Sequence, residues 1–513
     1  MGSVKRVLLG SAAGVFAVTG AQAADLPVKA APVEYVKVCS LYGAGFWYVP
    51  GTDTCIKIGA IVKLQTHYNA NPGGPFMMGV AANGAGDNGG RHDRVDSTPF
   101  TFNQRNSVSF DLRTQTEYGT LRSYFDAFFQ TTSSDNAANQ LSSIALGNTR
   151  GFIQFAGFTA GRMRSFFDLY FQGTYAFAGG RFGNDTSPNG IIGAAYTWQF
   201  GGGLSATVSL EDNGGGNAAR GRSTVNLSAA NLGIATNTFD NKGQEFFDPV
   251  FNLRLDQAWG FVGASAALHD ASAGYYSSVT GPTGALTACA GQAAATALIS
   301  PVETCGHPGN KFGWAATAAF LVNGPLGLVG DTIAGQAVYS KGAVGYATAA
   351  WGPTAVFGAG NNLGVGWLEE GVFTTGSNVE LTTVWSFDAA YEHRWNPQWR
   401  TSIHGGMVGI EYDGAAKAMI CSGTGFVGTG SGSFTKFSNC SPNWSMTGVG
   451  TRTLWNPVPD LDVGVDLLWW HLNTAFAGTA TLGQNGGKPA GAYRISDQDA
   501  LAAVFRIQRN FLY

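Results

Sequence analysis

The sequence predicts an all-β chain, a transmembrane barrel of sixteen antiparallel strands with short periplasmic turns and long surface loops. Three observations predict it. Charged residues are 12% of the chain, about half the roughly 25% of ordinary soluble domains, and too few to cover a water-facing surface of this size. Mean hydropathy is close to zero, and no apolar run approaches the roughly 20 residues that a spanning helix needs. The third observation is an alternation with a period of two residues that lasts to the final residue. In LAAVFRIQRNFLY, Leu501, Ala503, Phe505, Ile507, Phe511 and Tyr513 share one face, while Arg506, Gln508 and Asn510 share the other. Lipid-facing and lumen-facing residues that alternate in this way dilute each other's hydropathy.

The first element is an address. Lys5 and Arg6 precede the apolar stretch VLLGSAAGVFAVTG, and Ala21-Gln22-Ala23 has the small-x-small form of an export cleavage site, so residues 1–23 read as a removed signal peptide. Its loss takes the formal charge from −3 to −5, mildly acidic and without the basic balance of a nucleic-acid binder. Residues 24–54 form a lead with a disulfide hairpin, and 55–513 form the barrel. Six cysteines fall into three neighbouring pairs, Cys39 with Cys55, Cys289 with Cys305 and Cys421 with Cys440. Each pair would close a local loop worth about 3 kcal/mol in the chain-entropy account. With no Cys-x-x-Cys and no ligand-like histidine pair, a metal site is not expected.

Strands follow. CIKIGAIVKLQTHY sets Ile56, Ile58, Ala60, Val62, Leu64 and Tyr68 against Lys57, Lys63, Gln65 and His67. Val108, Phe110 and Leu112 alternate with Ser109, Asp111 and Arg113, and Leu461, Val463, Val465 and Leu467 alternate with Asp462, Gly464 and Asp466. Short turns fall near 117–119, Gly157, 201–203, 257–260, 323–327, 396–398 and 456–460, and long Gly, Asn, Ser and Thr-rich segments separate them. Trp198, Trp259, Trp395, Trp399 and Trp455 cluster at the short turns, as an aromatic girdle at the lipid boundary would. The last strand must then pair with the first, so that no edge lies open in the bilayer.

The segment ADLPVKAAPVEYVKVCSLYGAGFWYVPGTDTCIKIGAIVKL, the stretch GFTAGRMRSFFDLY and the aromatic C-terminus resemble the outer-membrane porins of alphaproteobacteria such as Brucella and its rhizobial relatives. The likeness runs through the mature chain, strongest at 24–64 and 149–170. It implies a general-diffusion channel in the outer membrane of a Gram-negative bacterium, assembled as a homotrimer, that passes small hydrophilic solutes and ions. It also implies a third surface loop folded into the barrel, and a terminal aromatic, here Tyr513 with Phe511 before it, that the barrel-assembly machinery reads. Tyr513 stands where the family more commonly has Phe.

Such a channel catalyses nothing; its working part is a charged constriction. The third loop, about 165–190, carries Phe166, Phe167, Tyr170, Phe171, Tyr175 and Phe177, which are costly in water and suit packing against the inner wall. That would leave Asp168, Arg181 and Asp185 to water. Parity nominates Lys63, Asp111, Arg113, Arg122, Asp126, Arg162 and Arg164 for the opposing wall, with Asp388, Arg400 and Arg506 further off. Both signs occur, so ion preference stays open. GTGFVG at 423–428 lies in a loop between cysteines with no helical pattern after it, which argues against a nucleotide site, and no cofactor is expected. A substrate-specific channel, for sugars for example, and an outer-membrane hydrolase are the alternatives. There is no Gly-x-Ser-x-Gly elbow.

Overall fold

Alternating segments such as Thr54–Tyr68 can bury neither face alone, and sixteen of them solve the problem by closing on one another. The structure, a computed structural model, describes residues 37–68, 100–133, 144–170, 172–177, 182, 186, 190–212, 224–227, 240–276, 279–280, 285–286, 306–348, 354–357, 360–422, 434–482 and 489–511. The leader at 1–23, Phe171, Arg181, Asp185, the Cys289 and Cys305 pair, the 423–428 motif and Tyr513 lie outside them. The barrel strands are β1 (Thr54–Tyr68), β2 (Phe100–Thr116), β3 (Gly119–Thr132), β4 (Ile144–Phe155), β5 (Phe158–Met163), β6 (Ile191–Gly201), β7 (Leu204–Glu211) and β8 (Asp248–Gln257). The second half is β9 (Gly260–Asp270), β10 (Phe312–Asn323), β11 (Thr332–Lys341), β12 (Thr383–Arg394), β13 (Trp399–Glu411), β14 (Trp444–Trp455), β15 (Leu461–Asn473) and β16 (Gln498–Phe511). Each pairs antiparallel with the next, and β16 pairs with β1 from Ala60↔Phe511 to Tyr68↔Ala503, which closes the barrel. Among the described residues no helix is long and apolar enough to span a membrane.

The two faces separate along every wall. On β1, Ile58, Val62, Leu64 and Tyr68 are exposed outward, while Gln65 and His67 are buried inward. On β16, Leu501, Phe505, Ile507 and Phe511 face out. Trp198, Trp259, Trp395, Trp399 and Trp455 are exposed at the short-turn end, where Trp399 and Trp455 sit opposite each other with rings stacked at 5.8 Å. The predicted girdle is therefore in place. Gly260 shows how tight these turns are. Its φ is 135°, and a Cβ there would lie 1.9 Å from the Leu321 carbonyl oxygen.

Among the described residues, which end at Phe511, the pairing between β16 and β1 runs from Ala60 to Tyr68. Trp47 and Tyr48 pair with Ile56 and Cys55 further down β1. The Cys39–Cys55 disulfide ties the hairpin down, and Tyr42, Phe46 and Tyr48 pack around it. At the opposite end, surface segments fold over the mouth. Tyr346, Trp367 and Leu368, with Ala416 and Ile420 of the helix Gly414–Cys421, pack on inward residues Val384, Val408, Ile410, Met446, Trp470 and Leu472. The Cys421–Cys440 disulfide braces this cap.

Two predictions follow from these placements. Val449 is exposed near the middle of β14, so Val449→Arg should cost about 2–4 kcal/mol, the usual penalty for arginine near the midplane of a barrel's lipid face. Denaturant unfolding in lipid vesicles reads it, and an unchanged midpoint would place Val449 away from lipid. The second concerns Asp331, which closes the turn between β10 and β11. Burial opposes its charge, but the Arg394 amide, His393 and Tyr391 donate to it and hold its carboxyl at about 2. A depressed carboxyl adds stability that is complete above its ordinary value of 3.8 and lost as pH falls from there toward 2. Asp331→Asn should flatten that part of an acid-unfolding curve.

Candidate functional site

Between Met163 and Ile191 the chain does not stay outside. Ser165 Oγ donates to Glu211 Oε2 at 2.5 Å and the Phe166 amide to Oε1 at 2.8 Å, so one fully buried carboxylate at the end of β7 holds the loop's base. Asn252 Nδ2 on β8 donates to the Phe166 carbonyl at 2.8 Å. Phe167 meets Tyr346 edge-on at 4.8 Å, and Tyr170 stacks with Tyr175 at 6.1 Å. The segment then reaches the far wall. Arg452 Nη2 on β14 donates to the Thr174 carbonyl, Ser402 Oγ on β13 to the Tyr175 carbonyl, and the Phe177 amide to Asp466 Oδ2 on β15, each at 2.5 Å. The Arg506 guanidinium of β16 lies 3.8 Å from the Phe177 ring centre.

Asp168, expected to face water, does not. It is buried, accepts from the Thr186 amide at 2.7 Å and from the Thr186 hydroxyl, and lies 3.9 Å from Arg164 Nε. Its charge is engaged in fixing the loop, because a carboxylate removed from water must be hydrogen-bonded. Arg164 also donates to the Tyr170 carbonyl at 2.5 Å. Arg162 is displaced from the expected wall. It pairs with Ile192, an exposed outward residue, so it shares the outer face. Parity counted from Thr159, which is buried inward, selects Gly161 and Met163 instead.

The wall from β16 through β1 to β4 carries the other nominated residues. Lys63 stands directly beside Arg105, and Arg506 beside Gln65. Lower down, Arg113 and Arg122 face each other across β2 and β3 and share Asp111. Arg113 donates to its two oxygens at 3.0 and 2.7 Å, Arg122 at 2.9 and 3.0 Å. The Arg113 guanidinium lies 4.9 Å from the Phe46 ring, which brings the disulfide hairpin against the periplasmic end of this wall. Asp126 is buried and accepts from Thr149 Oγ1 at 3.0 Å. Arg105 donates to Gln130 at 2.7 Å and lies 4.1 Å from the Phe128 ring.

Arg105, Glu211, Arg452 and Asp466 were not nominated from the sequence. All four lie on the inward parity of their strands, so alternation could have found them. What alternation lacks is the knowledge that Glu211 and Asp466 anchor a loop distant in sequence. Asp388 is buried inward on β12, and Arg400 lies 3.5 Å from Asp462. Among the described residues no group of His, Cys, Asp and Glu is arranged to hold a metal ion.

Comparison with known proteins agrees with this geometry. The chain is 34% identical over 227 residues to Porin Omp2a of Brucella melitensis, a match that covers 41% of this chain and 57% of that one. It is 31% identical over 231 residues to the putative outer membrane protein y4fJ of Sinorhizobium fredii, with 44% and 60% covered. The chain thus spans under two thirds of the length of these curated relatives. Among solved structures, the outer membrane channel DcaP of Acinetobacter baumannii aligns over 90% of this chain and 99% of its own, with a TM-score of 0.50 at 11% identity, which supports the fold. Residues 25–504 match the porin subfamily model, and the chain belongs to that family of the Gram-negative outer membrane.

Proposed function

We propose that this chain forms a water-filled channel for passive diffusion of small hydrophilic solutes and ions and carries out no reaction. The observation that carries this reading is the closed sixteen-strand wall with polar and charged side chains inward. A barrel of that strand number encloses an interior too wide for wall side chains alone to fill. The segment 164–190 supplies the constriction. Its described residues hold on to β7 to β9, pack with Ala319, Ala334 and Ala390 of β10 to β12, and reach β13 to β16, and this reading takes the wall from β1 to β4 as the side along which solutes pass. The same reading takes the assembly as a homotrimer, in contact with outer-membrane lipid through its apolar outer face and inserted by the barrel-assembly machinery at Phe511 and Tyr513. The family resemblance supports that part. A sugar-specific channel would need a continuous aromatic track, and the described inner wall offers arginines between its aromatics instead.

Detergent-folded full-length protein in a planar bilayer should give stepwise, nearly ohmic conductance, with steps grouped in threes. Folded protein that passes no current would overturn the diffusion reading, and single ungrouped steps would overturn the trimer. Glu211→Ala should free the base of the constricting loop, because the Ser165 and Phe166 donors lose a buried charged acceptor, at a cost of about 1.5–3 kcal/mol. The expected signs are faster proteolysis within 164–190 and larger conductance steps. Unchanged steps with a released loop would show that the segment does not limit the pore.

A further inference from the structure

Between β10 and β11 the chain turns through GPLGLVGD, residues 324–331. Its backbone closes on itself. The Gly324 amide donates to the Asp331 carbonyl at 2.8 Å, Gly327 to Gly324 at 3.0 Å, Leu328 to Pro325 at 3.1 Å and Asp331 to Leu328 at 3.2 Å. The apolar side chains are left outside this frame, with Leu326 100% exposed, Val329 95% and Leu328 46%. Leu326 also sits at φ 56° and ψ 22°, the left-handed region that glycine occupies freely and leucine does not. A fully exposed leucine in a disfavoured conformation adds nothing to the fold that holds it. Three large apolar side chains at one tip therefore call for an apolar partner outside the chain.

The turn is drawn onto the outer wall of the barrel. The Asp331 carboxylate accepts from the Tyr391 hydroxyl at 2.5 Å and from the Arg394 amide at 3.0 Å, and it lies 2.8 Å from His393 Nδ1. Tyr391 pairs with Ile403 and shares the parity of Phe387, both exposed outward, so Tyr391 and His393 belong to the outer face of β12. A Cβ on Gly330 would lie 3.3 Å from Arg394 Cδ, which keeps the tip close to that wall. Exposed tryptophans of the girdle flank it. The Trp259 carbonyl accepts from the Asn323 amide at 2.7 Å, and the Trp395 ring meets His393 edge-on at 4.3 Å. We propose that the 324–330 turn is an interfacial anchor, with Leu326, Leu328 and Val329 seated in the periplasmic leaflet of the bilayer and Asp331 holding them there. The partner is lipid because the tip continues the apolar outer face and its tryptophan girdle. Residues 324–330 also carry no charge, and the amides that turn back into the frame need no water.

This inference rests on the reading that the outer face meets lipid, and the experiment separates the two. Full-length Leu326→Cys and Val329→Cys proteins, labelled with an environment-sensitive fluorophore, are folded into phosphatidylethanolamine and phosphatidylglycerol vesicles that carry a lipid spin-labelled near its headgroup. Unsubstituted protein labelled in parallel gives the background, Val449→Cys on the outer face of β14 reports lipid, and Asp53→Cys on the exposed turn of the lead hairpin reports water. Probes at 326 and 329 should be quenched about threefold or more over the probe at 53, as interfacial insertion requires. Adding Asp331→Ala should bring them down toward the probe at 53, while the probe at 449 stays quenched and shows that the barrel is still folded. Quenching at 449 with none at 326 and 329 would overturn the anchor and keep the membrane-facing wall. Loss of quenching at 449 as well, in folded protein, would overturn both. Disulfide cross-links at 326 between copies, with shielding that rises with the protein-to-lipid ratio, would make the partner a second copy and overturn the lipid assignment. Quenching that Asp331→Ala leaves unchanged would overturn the holding role of Asp331.

Discussion

Lipid offers no hydrogen-bond partner to a peptide group, and the rest of this molecule depends on that constraint. Each unpaired N–H or C=O in hydrocarbon costs several kcal/mol, so strands can span only as a closed ring. The pairing of β16 with β1 is where the ring closes, and among the described residues it runs from Ala60 to Tyr68. The disulfide-tied hairpin pairs Trp47 and Tyr48 with Ile56 and Cys55 on the same side of β1. The lead is thereby bonded to the barrel beside its seam, and its aromatic residues reach the inner wall at Arg113.

Closure fixes which way every side chain points, and that made the wall legible in the sequence. The seven short turns, the alternation on β1 and β16, the outward tryptophans and two of the cysteine pairs could all be read because each is a local pattern. Alternation fails where the face is known but its filling is not. Trp470, Leu472, Ala500 and Ala502 point inward yet are apolar, since surface segments distant in sequence pack onto them near the mouth. A strand that is apolar on both faces, such as LLWW at 467–470, is the sign of such a cap. Asp168 and Arg162 failed for different reasons. The first is a buried anchor where a water-facing charge was expected, and the second was assigned with its parity reversed at the rim.

The inward-folded segment depends on a particular distribution of charge. Holding a loop against the inside of a barrel requires acceptors for its amides and hydroxyls, and Glu211, Asp168 and Asp466 serve as those acceptors. Carboxylates used in this way are turned into the packing and desolvated, and hydrogen bonds to charged groups are among the stronger ones available.

The cations are arranged differently. Arg113 and Arg122 share Asp111, while Arg105 is held by Gln130 and the Phe128 ring and Arg506 by the Phe177 ring. The chain as a whole is slightly acidic, with a formal charge of −3, so net charge would misjudge the field a solute meets. What decides that field is which charges are engaged by the scaffold and which face the passage.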